Sequence, residues 1–158
     1  MVTIRPARPE EAAALTLLCL RSKSHWGYDA GFMQQAATGL TLSEPMISAG
    51  QVLVAERGTG CLLGVAAIAR LDSAGAFDLA LLFVEPTVIR TGVGRTLFDA
   101  AVRHAARQGA RHLSILADPF AEAFYQRLGA VRIGEAPSDS IPGRVLPLLR
   151  YAIPDPRS

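Results

Sequence analysis

Along this chain the apolar residues first alternate, then recur every three or four positions, then alternate again, and each change of period marks an element. Residues 3–7 read as a short strand. Pro9, Glu10 and Glu11 then open a helix, with the proline and acids in the first turn where the helix dipole favours them. It runs to about Arg21, and Ala12, Ala14, Leu15, Leu17 and Leu18 give it one broad buried face. The segment from Ser24 to Asp29 breaks the pattern with Gly27 between Trp26 and Tyr28, and residues 30–37 suit a second short helix with Asp29 as its N-cap. Residues 39–50, with Pro45, have no clear period and are expected to be irregular.

Three strand-like runs follow at residues 51–57, 61–71 and 77–85, separated by glycine-containing turns, and they predict an antiparallel meander. The third is almost wholly apolar, as in a central strand covered on both faces. Residues 92–108 carry the strongest helical pattern: Val93, Leu97, Ala100, Ala101, Val102 and Ala105 point inward, Arg95, Asp99, Arg103 and Arg107 outward, and Gly109 ends it. A strand at 112–117, a helix at 119–128 closed by Gly129, strands at 130–135 and 145–153, and a loose tail at 154–158 complete the reading.

One domain accounts for all 158 residues, since a chain of this length, half of it hydrophobic, builds a single core. The apolar runs are far shorter than the roughly 20 residues of a membrane span, and the start lacks a signal-peptide core, so a cytoplasmic protein is expected. The net charge of +2 is spread without a basic stripe, which argues against nucleic acid as a partner. Cys19 and Cys61 read as reduced packing residues, and the three histidines have no metal-ligand spacing.

The junction Val84-Glu85-Pro86-Thr87-Val88-Ile89-Arg90-Thr91-Gly92-Val93-Gly94-Arg95-Thr96 runs from a buried strand through a short loop into a helix. Free N–H groups of a first helical turn converge there with the positive end of the dipole, so the junction can bind a diphosphate, and glycines let oxygens approach the backbone. Two glycines also serve a plain tight turn. A Walker loop would need lysine where Arg95 stands, and a dinucleotide fingerprint would need a small residue at Leu97.

The order of elements, the Gly-Val-Gly turn after Phe83-Val84-Glu85-Pro86, and the segment from Asp118 to Ala130 with Phe124-Tyr125-Gln126-Arg127-Leu128-Gly129 resemble the GNAT acetyltransferases from end to end. Gly92 and Gly94 match that family's loop, while Ile89 stands where Gln or Arg is usual and Phe120 where Asn often touches the cofactor. The resemblance implies an α/β (α+β) GNAT acyl-CoA N-acyltransferase fold, with a central, mostly antiparallel twisted sheet of six or seven strands flanked by four helices. It further implies acetyl-CoA as cofactor, coenzyme A as product, and direct transfer to an amine. Phe83 and Val84 would then present main-chain groups to the pantetheine arm. Ile89, Arg90, Thr91, Gly92, Val93, Gly94, Arg95 and Thr96 would hold the pyrophosphate, with Phe120 and Tyr125 nearby.

Amide formation from a thioester needs a neutral amine, a polarised carbonyl and a proton for the departing thiolate. Tyr125 matches the family tyrosine beside the cofactor sulfur and is the candidate acid, with the Val84 N–H as donor to the carbonyl oxygen. For the base, Asp78 falls by position where related enzymes carry a glutamate; Glu85 is the next candidate and water the third. Trp26 and Tyr28 are expected to wall the acceptor pocket, and Ser140 and Arg144 to reach over it from the loop before the last strand. A small-molecule or peptide amine is the expected acceptor, and a homodimer through the terminal strands suits the family. The competing reading is a non-catalytic acyl-CoA-binding or regulatory module.

Overall fold

In the computed structural model, which describes residues 1–155, seven strands form one mixed sheet in the order β1-β2-β3-β4-β5-β7-β6. They are β1 (Val2–Pro6), β2 (Val52–Arg57), β3 (Cys61–Arg70), β4 (Ala76–Val84), β5 (His112–Leu116), β6 (Val131–Pro137) and β7 (Val145–Ala152). All neighbours are antiparallel except β4 and β5, which run parallel. The helices are α1 (Ala12–Ser24), α2 (Ala30–Leu40), α3 (Glu44–Ser48), α4 (Val93–Arg107) and α5 (Glu122–Arg127), with single 3-10 turns at Pro9–Glu11 and Pro86–Val88. None of them is long and apolar enough to cross a membrane. Of the tail expected at 154–158, residues 156–158 lie outside the described residues.

Each face of the sheet has its own core. Phe77 and Leu79 of β4, Leu113 and Ile115 of β5 and Leu149 of β7 pack with Leu97, Phe98 and Ala101 of α4 and Tyr125 of α5. On the opposite face, Leu81 of β4, Val65 of β3 and Val54 of β2 pack with Leu15, Leu18 and Cys19 of α1, Leu40 of α2 and Ile47 of α3. Both clusters draw on β4, which explains why its sequence is apolar at every position but Asp78.

A bulge sets this double use. The β3–β4 register steps from Ala67↔Leu81 to Ile68↔Leu79, leaving Ala80 as an extra residue. Before it, Phe77 and Leu79 face α4; after it, Leu81 and Phe83 face α1. Pairing of β4 with β5 covers only Ala76↔His112, Phe77↔Leu113 and Asp78↔Ser114, while β5 continues along β7 to Leu116↔Leu148. The two parallel strands therefore part just before the bulge.

Three expectations are corrected. Residues 39–50 are not wholly irregular: α3 forms there, with Ser43 accepting from the Met46 N–H and Pro45 in the first turn, where proline removes no hydrogen bond. It raises the helix count to five. Cys61, read as a packing residue, is exposed at the start of β3, whereas Cys19 is buried and its thiol is pushed up to about 12 by burial. The last helix is shorter than 119–128 because residues before Glu122 form a turn around Asp118.

Helix α4 approaches β3 closely only because residue 64 is glycine. A Cβ there would lie 2.6 Å from Leu97 Cδ1, 3.0 Å from the Phe83 carbonyl oxygen and 3.1 Å from Val84 Cγ1. Leu97 is fully buried and cannot yield. Gly64→Ala should cost about 1–3 kcal/mol, read as a lowered midpoint in thermal or urea unfolding.

Candidate functional site

The opening begins where β4 leaves β5. The Glu85 N–H donates to the Leu63 carbonyl across β3 at 2.8 Å, so strand alternation turns the main-chain groups of Phe83 toward β3 and those of Leu82 and Val84 toward the gap. The Val84 N–H thus points toward the opening. Phe83 turns its main chain to β3 and its side chain to the α1 cluster, while Leu82 turns its main chain to the opening.

At the end of β4 the 3-10 turn Pro86–Val88 buries Val88 and redirects the chain into α4. Arg90 and Gly92 have φ of 67° and 95°, and Gly92 is the N-cap of α4 without a side-chain acceptor. A Cβ at Gly92 would touch nothing within 4 Å, so its glycine is demanded by backbone conformation, and its bareness leaves the amides reachable. The N–H groups of Val93, Gly94 and Arg95 precede the first helical acceptor, and Thr96 is the first to bond back, to the Gly92 carbonyl at 3.0 Å. Arg90, Thr91, Arg95 and Thr96 are exposed around this cradle, and Ile89 is half-buried at its edge. Gly94 also admits Phe124, whose ring would stand 3.3 Å from a Cβ.

Tyr125 projects from α5 into the core beneath the opening and is only 7% exposed. Its hydroxyl bonds no protein group among the described residues. Because no fully occluded side-chain oxygen or nitrogen there lacks a partner, this oxygen must reach open space. Burial first, and the negative charge of Asp118 second, push its pKa well above the ordinary phenol, so it stays protonated.

The two acidic candidates differ. Asp78 sits at the last paired position of β4, on the α1 face opposite Phe77 and Leu79, and makes no ion pair or hydrogen bond among the described residues. Burial, and then the charge of Asp139 on the β6–β7 loop, raise it from 3.8 to about 6. Glu85 is bound by the Arg21 guanidinium of α1, including a contact from Nε at 3.2 Å. That partner occupies the oxygens a base would use.

A polar cluster closes the other side of the opening. Asp118, after β5, accepts from Lys23 Nζ at 2.5 Å, from the Tyr28 hydroxyl at 2.8 Å and from the Phe120 N–H at 2.9 Å. Arg144 of the β6–β7 loop donates to the Tyr28 oxygen at 2.8 Å, and its guanidinium lies over the rings of Phe32 and Tyr28. Burial alone would raise Asp118, but the Lys23 and Phe120 bonds outweigh it and hold the carboxyl below its usual range. Tyr28 is pushed up to about 12 by burial and the Asp118 bond. Trp26 stacks on Phe120, centroids 5.3 Å apart and planes within 3°, with Phe120 54% exposed. Ser140 rests against Gly39 of α2, and Ile141 packs into the α1 cluster. Trp26, Tyr28, Phe120 and Arg144 are thus brought together, whereas Ser140 lies on the α2 side of its loop. Lys23 and Arg21 had drawn no attention in sequence: basic residues in a helix's last turn read as ordinary dipole partners.

The acetyltransferase (GNAT) domain model matches residues 12–139. Among solved structures, the chain is similar to a GCN5-related N-acetyltransferase from Rhodopseudomonas palustris, at 25% identity over 95% of this chain and 94% of that one, with a TM-score of 0.74. It is similar to PaiA N-acetyltransferase from Thermoplasma acidophilum in complex with coenzyme A, at 16% identity, 96% and 99% coverage and a TM-score of 0.76. A GNAT family acetyltransferase from Brucella melitensis in complex with acetyl-CoA is similar at 20% identity, 98% and 90% coverage and a TM-score of 0.67. No curated protein matches the chain significantly.

A carboxyl whose folded pKa is raised from 3.8 to about 6 binds more protons in the native than in the unfolded state across that window. Stability then falls as pH rises through it and stays lower above. Asp78→Asn should therefore stabilise the protein at pH 8, by about 1–2 kcal/mol after allowance for partial solvent screening, and have little effect near pH 3. Urea titrations of both proteins at the two pH values measure this.

Proposed function

The chain belongs to the GNAT acetyltransferase family, and from that premise we propose that it is an acetyl-CoA-dependent N-acetyltransferase acting on a primary amine within a ternary complex. The observation that carries this reading is the unpaired edge of β4 beyond Asp78, leading directly to the donor cradle at the start of α4. Such an edge accepts an extended amide-bearing arm as it would a strand, and the cradle accepts a diphosphate. Both features fit coenzyme A, with Leu82 and Val84 receiving the arm and the amides of Val93, Gly94 and Arg95 the pyrophosphate.

Acetyl-CoA, when bound, supplies an activated acetyl thioester and a thiol leaving group. The residues of the chain supply the rest. The Val84 N–H polarises the thioester carbonyl by donating to its oxygen. Asp78, unpaired and raised to about 6 and set back along β4 from Val84, takes the proton of the acceptor ammonium through intervening water. Tyr125 holds a proton at its hydroxyl and delivers it to the departing sulfur, and the second proton shed by the amine nitrogen returns to the phenolate through water. Glu85, held by Arg21, stabilises the α1–β4 contact and takes no proton. Trp26, Tyr28 and Arg144 bound the acceptor's approach.

Acetyl-CoA at about 100 times its Kd should stabilise the protein by about 2.7 kcal/mol, read as a thermal shift of about 5–10 °C. Addition of an accepted amine should release free thiol. Stabilisation without thiol release across a broad amine panel would leave a binding module instead.

Tyr125→Phe should lower kcat by about 100-fold while that thermal shift persists. In wild type, log kcat/KM for the accepted amine should fall with unit slope as pH drops below about 6, and Asp78→Asn should abolish that limb.

A further inference from the structure

Next to Asp78, on the same face of the sheet, lies a depression of 530 Å³ lined by Leu71, Asp72, Ser73, His112, Ser114, Ile133 and Arg150. Ser114 joins it to the opening, because Ser114 is the register partner of Asp78 on one side and of Arg150 on the other. Their side chains share a face: Phe77, Leu113, Ile115 and Leu149 point to α4, so Asp78, Ser114 and Arg150 point the other way. Two strand spacings, about 10 Å, separate the backbones of Asp78 and Arg150.

Arg150 does not use its charge on Asp78. Its guanidinium turns along the sheet to His112, where Nη2 lies 3.1 Å from Nδ1. That contact makes Nδ1 an acceptor and leaves the second ring nitrogen as a donor. Burial, and then the neighbouring guanidinium, lower the His112 pKa and favour this neutral form. Among the described residues the other Arg150 nitrogens and the hydroxyls of Ser73 and Ser114 make no side-chain hydrogen bond that a ligand would have to displace. A guanidinium, an imidazole N–H and two hydroxyls thus border one space, opposed only by Asp72. Leu71 and Ile133, 40% and 58% exposed, give that space apolar walls. A depression with apolar walls and a planar cation, bordered across Ser114 by the unpaired Asp78, matches a molecule that is an amine at one end, hydrocarbon in the middle and a carboxylate at the far end.

We propose that this depression is the distal half of the acceptor site, and that Arg150, supported by His112, selects primary amines carrying a carboxylate remote from the amine. The inference rests on the acetyltransferase reading and adds the acceptor class to it. Arg150 makes a bidentate contact to the carboxylate, His112 fixes the guanidinium plane, and the amine is left beside Asp78.

The probes are 6-aminohexanoate, hexylamine and 1,6-diaminohexane, with hexanoate as a ligand that has no amine. Wild type should prefer 6-aminohexanoate over hexylamine by tenfold or more in kcat/KM, and the diamine should be the poorest of the three. Arg150→Gln should reduce that ratio by about tenfold or more, with part of it restored in Arg150→Lys, while the acetyl-CoA thermal shift is retained. Independently of turnover, hexanoate should move the His112 ring resonances of wild type and not those of Arg150→Gln. A protein that binds acetyl-CoA and acetylates hexylamine as well as 6-aminohexanoate overturns this inference alone, as do His112 resonances unmoved by hexanoate. Failure to bind acetyl-CoA overturns the acetyltransferase reading and this inference with it.

Discussion

The separation of β4 from β5 beyond Asp78 and Ser114 is the constraint on which the site depends. A buried strand edge ordinarily satisfies its N–H and C=O groups with a neighbour, because leaving them bare is costly. Here the neighbour is pulled away: β5 follows β7 to Leu116, while β4 gains one residue at Ala80 and follows β3. The bulge also reverses which side chains face which layer, so the same strand anchors α4 through Phe77 and Leu79 and α1 through Leu81 and Phe83. Helices packed on both faces hold the gap open. Its main-chain groups form a fixed recognition edge instead of collapsing into a continuous sheet.

Around that edge, three carboxylates in similar surroundings take different roles according to their partners. Asp118 is enclosed, yet Lys23, Tyr28 and the Phe120 N–H keep it ionised, which suits a residue that ties α1, the α1–α2 loop and the β6–β7 loop to the end of β5. Glu85 has a guanidinium and holds α1 to the end of β4. Asp78 has neither cation nor donor and faces another acid, so its proton affinity rises toward neutrality. Of the three, only Asp78 is left with the free lone pairs and intermediate affinity that proton exchange requires.

The long elements were legible because their periods are long. Residues 93–107 repeat the helical pattern for four turns, and Asp29 accepts from the Phe32 N–H as its position before an apolar run implied. The glycine pair of the junction was likewise visible as a motif, since Gly92 answers to a backbone angle that few other residues adopt. A five-residue helix such as α3 is too short to show a period. The bulge was hidden because Leu79-Ala80-Leu81-Leu82 contains no polar residue to mark which face each side chain takes. Arg150 and His112 lie 38 positions apart and meet only through the pairing of β5 with β7, which no local pattern encodes.

The loop before α4 carries its own account of why its donors are ready in advance. Arg90 sits at φ 67°, a conformation that costs a non-glycine residue about 1–2 kcal/mol. Local geometry must impose it: Val88 is buried, and Thr91 returns both its N–H and its hydroxyl to the Val88 carbonyl, at 3.2 and 2.5 Å. With Val88 anchored and Gly92 turned to φ 95°, the chain has one route into the helix. The amides of Val93, Gly94 and Arg95 therefore point outward before any anion arrives. The ordering cost that a flexible loop would subtract from anion affinity has been met during folding, out of the burial of Val88 and the packing of α4 on the sheet. Strain at Arg90 and the absence of a side-chain cap at Gly92 are thus one feature: a helix start whose stability is supplied from below, so that its donors remain free above.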